Sequence, residues 1–373
     1  MAQNCSILCI APYRMIPFTS GGPIGILQLH HYISKICPDH IVGTENNENS
    51  DKYAFDLHRV LPNATTRYVP FVTFKTILNI ARRFDSTAII CEHPYMAPVA
   101  MMVAKKMRIP WFIRSHNIES ERFRGIGKKW WKMMFYFEQF AMNKANGVLF
   151  ITPQDADWAA KRYKLPAHKC HFVPFGTKFT KQPTPRPNAK QLLAESLNID
   201  AAKPLLYFLG ALDYEPNIRA VRSILDDVLP RLEKTGNPYE VVIAGKALPE
   251  DLQGRIAATD HIQYAGYVQD LELFLEGCDI MLNPMLVGGG IKSKAVEGLS
   301  YGKKIVSTDN GAYGLLPEIC GNGLYISNDN DWDGFVANIL KAIDTPSATP
   351  DSFYKFYHWS HIAQMAIDIV KRG

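Results

Sequence analysis

The sequence predicts two α/β domains, each a parallel sheet with helices on both faces. Three observations carry that expectation. Short apolar runs alternate with helical patterns almost throughout. A proline-bearing stretch at 178–187, KFTKQPTPRP, breaks the alternation once. A chain of 373 residues is also too long for one ordinary core.

In the first half, the runs at 6–10, 41–43, 88–91, 111–114, 148–151 and 171–173 read as strands. Helices are expected between them at 25–36, 96–106, 130–144 and 154–163. Strand and helix in repetition give a parallel sheet, so residues 1–177 form an N-terminal Rossmann-like domain. The prolines of 178–187 remove backbone donors and fix the chain, which makes 178–203 a linker with a helical patch at 189–196. A second series occupies 204–350, with strands at 205–209, 240–244, 262–264, 280–283, 304–307 and 323–326. Its helix at 218–232 carries Val221, Ile224, Leu225, Val228 and Leu232 at helical spacing. The final segment, 351–373, contains an amphipathic stretch with Ile362, Met365, Ala366 and Ile369 on one face. It could pack on either domain, the N-terminal one included.

Composition narrows the function classes. Apolar residues make up 47% and charged residues 21%, which excludes a disordered chain. A net charge of +5 is too weak to argue for nucleic acid and suits an anionic small molecule or a membrane surface. The seven cysteines are scattered without a CxxC pair, as reduced core thiols are, and point to a cytoplasmic protein. No basic region precedes the apolar run at 6–10, so a signal peptide is not expected there. The apolar stretch 88–104 holds Glu92, His93 and two prolines and makes a poor membrane span.

The richest segment is 283–314, NPMLVGGGIKSKAVEGLSYGKKIVSTDNGAYG. It reads as strand end, glycine loop, helix, strand and second glycine loop. Gly288, Gly289 and Gly290 let backbone amides approach a ligand, and the helix expected from Ile291 adds partial positive charge. Lys292 and Lys294 fall in its first turn, where they oppose the helix dipole; a bound anion removes the conflict. The alternative is a flexible turn with solvated lysines, but a loop at the carboxyl end of a strand favours a ligand. Glu297, one turn beyond Lys294, is either a ribose-binding carboxylate or a surface glutamate. His116 follows the strand at 111–114 and is the best polar candidate of the first half; His93, in CEHPYM, is the second.

These residues resemble a known signature. FLGALDYEPNIRAV (208–221), the glycine loop with KAVEG, IVSTDNGAYGL (305–315), SHNIESERF (115–123) and EQFAMNKANGVLFIT (138–152) are similar to retaining glycosyltransferases of GT-B fold, above all family 4. The resemblance implies two Rossmann-like domains facing a cleft, the N-terminal one for the acceptor and the C-terminal one for a nucleotide-sugar donor such as a UDP- or GDP-sugar. It places Glu297 on the ribose, Lys294 beside the diphosphate, and Gly210 in a loop that approaches the phosphates. Tyr267 and Val268 line the base, and Gly21 and Gly22 face the donor from the N-terminal domain. His116 sits by the donor sugar, while Gly288, Gly289, Gly290 and Ile291 form the donor loop.

Two departures stand out. Gly289 occupies the position of the first glutamate of the family's pair, and Asp213, Tyr214 and Glu215 stand where an arginine–lysine phosphate pair is usual; Asn217 and Arg219 are nearby without an assigned role. Without that glutamate, a double displacement lacks its carboxylate nucleophile. The family's front-face route, in which the donor phosphate accepts the acceptor's proton, is then expected. No HExxH or DxD spacing is present, so no metal or other cofactor is expected. The stretch RFRGIGKKWWKMMFYF (122–137) suits a peripheral contact with the inner membrane face and a glycan or lipid-linked acceptor, or else a helix whose aromatics pack in the core. Rival functions are a sugar-nucleotide epimerase, for which no acid–base set is evident, and a non-catalytic glycan- or nucleotide-sugar-binding protein. A dinucleotide dehydrogenase is disfavoured, because GxGxxG does not follow the first strand.

Overall fold

The structure is a computed structural model that describes residues 5–17, 21–49, 51–346 and 349–373. The chain divides into two compact units. One comprises Met1–Gly176 with Tyr357–Gly373, the other Thr177–Phe356. Residues 177–203 and 351–356 are thus part of the second unit.

In the first unit the strands are β1 (Ile7–Ile10), β2 (Asp39–Thr44), β3 (Asp56–Leu61), β4 (Ala88–Glu92), β5 (Trp111–Ser115), β6 (Gly147–Phe150) and β7 (Cys170–Phe172). Among the described residues they form one parallel sheet in the order β3-β2-β1-β4-β5-β6-β7. Side chains alternate between faces, so Leu8 and Ile10 enter one core and Ile7 another. β3 was not expected from the sequence. It is an edge strand of which only Leu61 is buried, so its pattern (DLHRVL) carries little hydrophobic signal. The first helix spans Gly21–Ile33, four residues earlier than expected at its start.

The last helix, Trp359–Arg372, lies on the first unit and buries Trp359, Ile362, Ala363, Ala366, Ile367 and Val370. Gly176 permits that approach: a Cβ there would come within 2.6 Å of both Ile362 Cδ1 and the Tyr357 carbonyl.

The second unit repeats the architecture with β8 (Leu205–Leu209), β9 (Glu240–Ala244), β10 (Ile262–Gly266), β11 (Ile280–Asn283), β12 (Lys304–Thr308) and β13 (Leu324–Ser327). Among the described residues the order is β10-β9-β8-β11-β12-β13, again parallel. The helix expected at 218–232 is an α-helix at Glu215–Ser223, a π-turn at Ile224–Val228 and a short helix at Leu229–Glu233. Pro230 lacks an N–H for the regular ladder, which accounts for the local widening. In each sheet the strand order reverses once, between β1 and β4 and between β8 and β11. Ligands of doubly wound sheets bind at the carboxyl ends of such strand pairs.

Candidate functional site

In the second unit, the reversal point gathers the segments after β8 and β11. The loop after β11 turns through Gly288 and Gly290, at φ +109° and +66°, values that favour glycine. The helix that follows is Ser293–Ser300, so it begins two residues later than Ile291. Lys292 is therefore its N-cap and not part of the first turn. Its buried ammonium folds back on the loop, donating to the carbonyls of Gly288 (2.9 Å) and Gly290 (3.0 Å). With those carbonyls occupied, the amides of Gly288, Gly289, Gly290 and Ile291 have no acceptor among the described residues. Unpaired amides just ahead of a helix N-terminus can receive an anion.

Lys294 lies in the first turn of that helix. Its ammonium donates to Asn217 Oδ1 at 3.1 Å and lies 3.8 Å from the Phe208 ring centroid. Among the described residues it has no carboxylate partner. Burial, reinforced by the charge of Lys292, pushes its pKa well below the usual lysine range. Burial thus disfavours the charged form, and an incoming anion would favour it. Asn217 also donates to the Ala211 carbonyl (2.8 Å), tying the loop after β8 to Lys294. Gly210 is required there, since a Cβ would sit 2.7 Å from Asn217 Nδ2.

Glu297, three residues past Lys294, shares its helix face. Its carboxylate has no hydrogen-bond partner among the described residues; burial raises its pKa and Lys178 opposes the rise. Gly298 on the inner face lets the helix sit close to the sheet, with a Cβ only 2.8 Å from Ile305 Cδ1. Tyr267 and Val268 follow the edge strand β10 at the same end of the sheet. Tyr267 is 70% exposed, and no bond or ring contact joins it to Lys294 or the glycine loop.

In the first unit, the reversal point is built from charge. Glu92 ends β4, fully buried. Its Oε2 accepts from His116 Nε2 at 2.5 Å and its Oε1 from His30 Nε2 at 3.1 Å, with Arg114 Nη1 3.6 Å away. Burial alone would raise this carboxyl, but Arg114 and the two histidines hold it well below the usual range. His116, just after β5, is lowered to about 4 by burial and by the neighbouring charge of His93, so it is a neutral imidazole. Its ring stacks on His93 at 4.3 Å. His93 itself holds φ +67°, a strained backbone for a residue with a side chain. Gly21 and Gly22 open the first helix, and a Cβ on Gly22 would meet nothing within 4 Å. Residues 18–20 of that loop lie outside the described residues.

Cys9, His30 and Glu92 offer three ligand atoms within 4.8 Å. Both ring nitrogens of His30 already face carboxylates, Asp39 at 2.7 Å and Glu92, so the cluster is a hydrogen-bonded chain. Beyond His93, Glu119 accepts from Tyr95 (2.6 Å) and from Arg122 Nε (2.7 Å). Burial would raise Glu119, yet His93, Arg122 and Tyr95 hold it at about 2.

Sequence reasoning noticed Asn217 without a role and did not find Asp39, His30 or Glu119. Their partners lie up to 77 residues away, beyond any local pattern. The signal available for Glu92 was a charge closing an otherwise apolar strand. Glu138, in the EQFAMNKANGVLFIT motif, is structural. It accepts from the amides of Glu119 (3.0 Å) and Ser120 (3.1 Å) and from Tyr163 OH (2.6 Å), which caps the helix Glu119–Gly125. The basic aromatic stretch has both buried and exposed side chains. Phe123 and Met134 are buried, while Trp130, Met133, Tyr136 and Phe140 are exposed beside Lys128, Lys129, Lys132 and Lys144. No helix among the described residues is long and apolar enough to cross a membrane.

Residues 29–179 match the family described as Glycosyltransferase Family 4, and residues 203–345 match Glycosyl transferases group 1. A Klebsiella pneumoniae protein described as an uncharacterized 44.6 kDa protein in the cps region is 24% identical over 274 residues. That match covers 68% of this chain and 64% of the relative's own length. Among solved structures, sucrose-phosphate synthase from Thermosynechococcus elongatus superposes with a TM-score of 0.73 at 14% identity, covering 99% of this chain and 98% of that one. Anabaena HepE in complex with UDP and glucose gives 0.72 at 13%, covering 99% and 100%.

Proposed function

From a chain that belongs to the group 1, family 4 glycosyltransferases of GT-B fold, we infer an enzyme that moves a hexosyl group from a UDP- or GDP-sugar to an acceptor hydroxyl with retention of configuration. The observation that carries this reading is made in the second unit: acceptor-free amides at 288–291, followed in the next helix by Lys294, a buried lysine without a carboxylate partner among the described residues. Lys294 and those amides take the diphosphate, Gly210 leaves it room, and Glu297 accepts from the ribose hydroxyls. Tyr267 and Val268 line the base. In the first unit, His116 holds a sugar hydroxyl. The crystal structure of HepE with UDP and glucose supports a uridine donor.

The chemistry follows from Gly289 standing where a carboxylate nucleophile would be needed. The acceptor oxygen attacks the anomeric carbon as its bond to the diphosphate breaks, and the proton passes to the departing phosphate oxygen. Lys294, the amides and the helix start stabilise the charge that develops there. This site uses protein charge in place of a metal, so a chelator is expected to leave the transfer rate unchanged. The test of function is calorimetric titration with UDP and GDP, then transfer assays with sugars of the nucleotide that binds. Binding without transfer to any glycan or lipid-linked acceptor would favour a nucleotide-sugar-binding protein.

The exposed stripe Trp130, Met133, Tyr136 and Phe140, with lysines on both flanks, fits the anionic inner face of a membrane. Such a contact would bring the first unit to a lipid-linked acceptor in glycan or glycolipid assembly. Sedimentation with anionic vesicles is expected, with loss in Lys128→Glu/Lys132→Glu. Equal binding to zwitterionic vesicles would contradict an electrostatic contact.

A further inference from the structure

Four titratable groups form an unbroken chain under the first unit's reversal point. Asp39 opens β2, His30 lies in the Gly21–Ile33 helix, Glu92 closes β4, and His116 follows β5. The links are 2.7 Å from Asp39 Oδ2 to His30 Nδ1, 3.1 Å from His30 Nε2 to Glu92 Oε1, and 2.5 Å from Glu92 Oε2 to His116 Nε2. His30 and Glu92 are wholly buried and Asp39 nearly so. The same helix fills its other inward positions with Ile26, Leu27, Leu29 and Ile33. A well-packed apolar group would serve stability as well or better, because burying ions is costly even when they are paired.

Protons can be assigned along the chain. Each nitrogen of His30 faces a carboxylate oxygen, and a carboxylate only accepts. Both nitrogens must then carry hydrogen, so His30 is an imidazolium. Burial opposes that charge, and Asp39 and Cys9 overcome the opposition, raising the ring well above its usual value. Burial also raises Asp39, with His30 pulling it back; the 2.7 Å contact to a doubly protonated ring favours the ionic pair. Asp39, Glu92, His30 and Arg114 then sum to zero charge. The groups that face His116 are Glu92 on β4, Arg114 on β5 and His93 after β4, with His30 and Asp39 behind Glu92. Nothing in that set calls for a second imidazolium. With Glu92 accepting, the single proton of His116 sits on Nε2. Nδ1 is left with a lone pair and no partner among the described residues.

We propose that His30, clamped between Asp39 and Glu92, is a positioning residue for His116: it offsets the charge of the two carboxylates and, through Glu92, fixes the proton of His116 on Nε2 so that Nδ1 accepts a hydrogen bond from a sugar hydroxyl. This rests on the reading of His116 as a sugar contact. His30 touches no substrate and acts only through Glu92.

The test is nitrogen-15 NMR of the histidine rings in the full-length protein, which distinguishes the two tautomers and the imidazolium. In the wild type at pH 7, His30 is expected doubly protonated and His116 protonated on Nε2 alone; any other pattern overturns the proposal whether or not a variant folds. In His30→Gln the set carries one negative charge, so the midpoint of His116 should rise by about one pH unit or more. In Asp39→Asn, His30 can give up its proton and His116 should stay neutral. A merely structural role for the chain would disturb His116 equally in both variants, and that result also overturns the proposal. The sugar contact is tested separately: full transfer activity in His116→Gln would remove the purpose assigned to His30 while leaving the measured protonation pattern in place.

Discussion

Lys294 and Glu297 are single residues whose charged forms are disfavoured by burial. Burial lowers the one and raises the other, and neither has an opposite charge at bonding distance among the described residues. Lys294→Met should therefore leave thermal stability unchanged or raise it. It should also weaken nucleoside diphosphate binding at least about tenfold, the value of a charge-assisted bond. For stability the sign is fixed by the direction of the shift. A lysine lowered in the folded state binds fewer protons than in the unfolded chain, so its contribution to stability grows as pH rises toward 10.5. For binding, a dianion restores the proton, so affinity should fall with rising pH and the calorimetric heat should depend on the buffer's ionisation enthalpy. Glu119 has the opposite profile. Held at about 2 against an ordinary 4.5, it adds stability above pH 4.5 that is lost as pH falls toward 2, on the order of 3 kcal/mol. Acid unfolding of Glu119→Gln should lack that slope. At this scale the places of the glycine loop after β11 and of His116 after β5 were legible, because each follows a strand in a distinctive local string, whereas the roles given to Lys294 and Glu297 came from the resemblance. The chain behind His116 was not, since Asp39 and Glu92 are joined only through His30 on a different element.

Elements explain why some motifs matter without touching chemistry. Glu138 fastens the start of the Glu119–Gly125 helix through two amides and anchors Tyr163, which also bonds Ser120 Oγ at 2.6 Å. Glu138→Ala would leave those donors buried and unpaired and should cost about 3 kcal/mol in urea unfolding, with nucleotide binding intact. Trp359 secures the last helix to the first unit with its ring fully enclosed. Trp359→Ala should cost about 3–5 kcal/mol by the same measurement. The buried strands could be read from sequence because both their faces are apolar. β3 could not, because an edge strand with charged and half-exposed residues looks like a loop. The helix at 215–233 read as one element because its apolar spacing continues through the π-turn, which local periodicity does not reveal.

Across the whole molecule, two doubly wound units each place their polar groups where strand order reverses, and they do so by different means. The second unit presents unpaired amides and the buried amine of Lys294; the first presents the neutral imidazole of His116 backed by buried, balanced charge. A saturating nucleotide that binds only the folded second unit should stabilise it by about 2.7 kcal/mol at a hundred times its dissociation constant. The most direct test of the account is titration of the wild type and of Lys294→Ala with UDP and GDP. The account predicts binding of one nucleotide by the wild type and at least about tenfold weaker binding by the variant. No binding of either nucleotide, or equal affinity in both proteins, would contradict the assignment of the glycine loop and Lys294 as the diphosphate site.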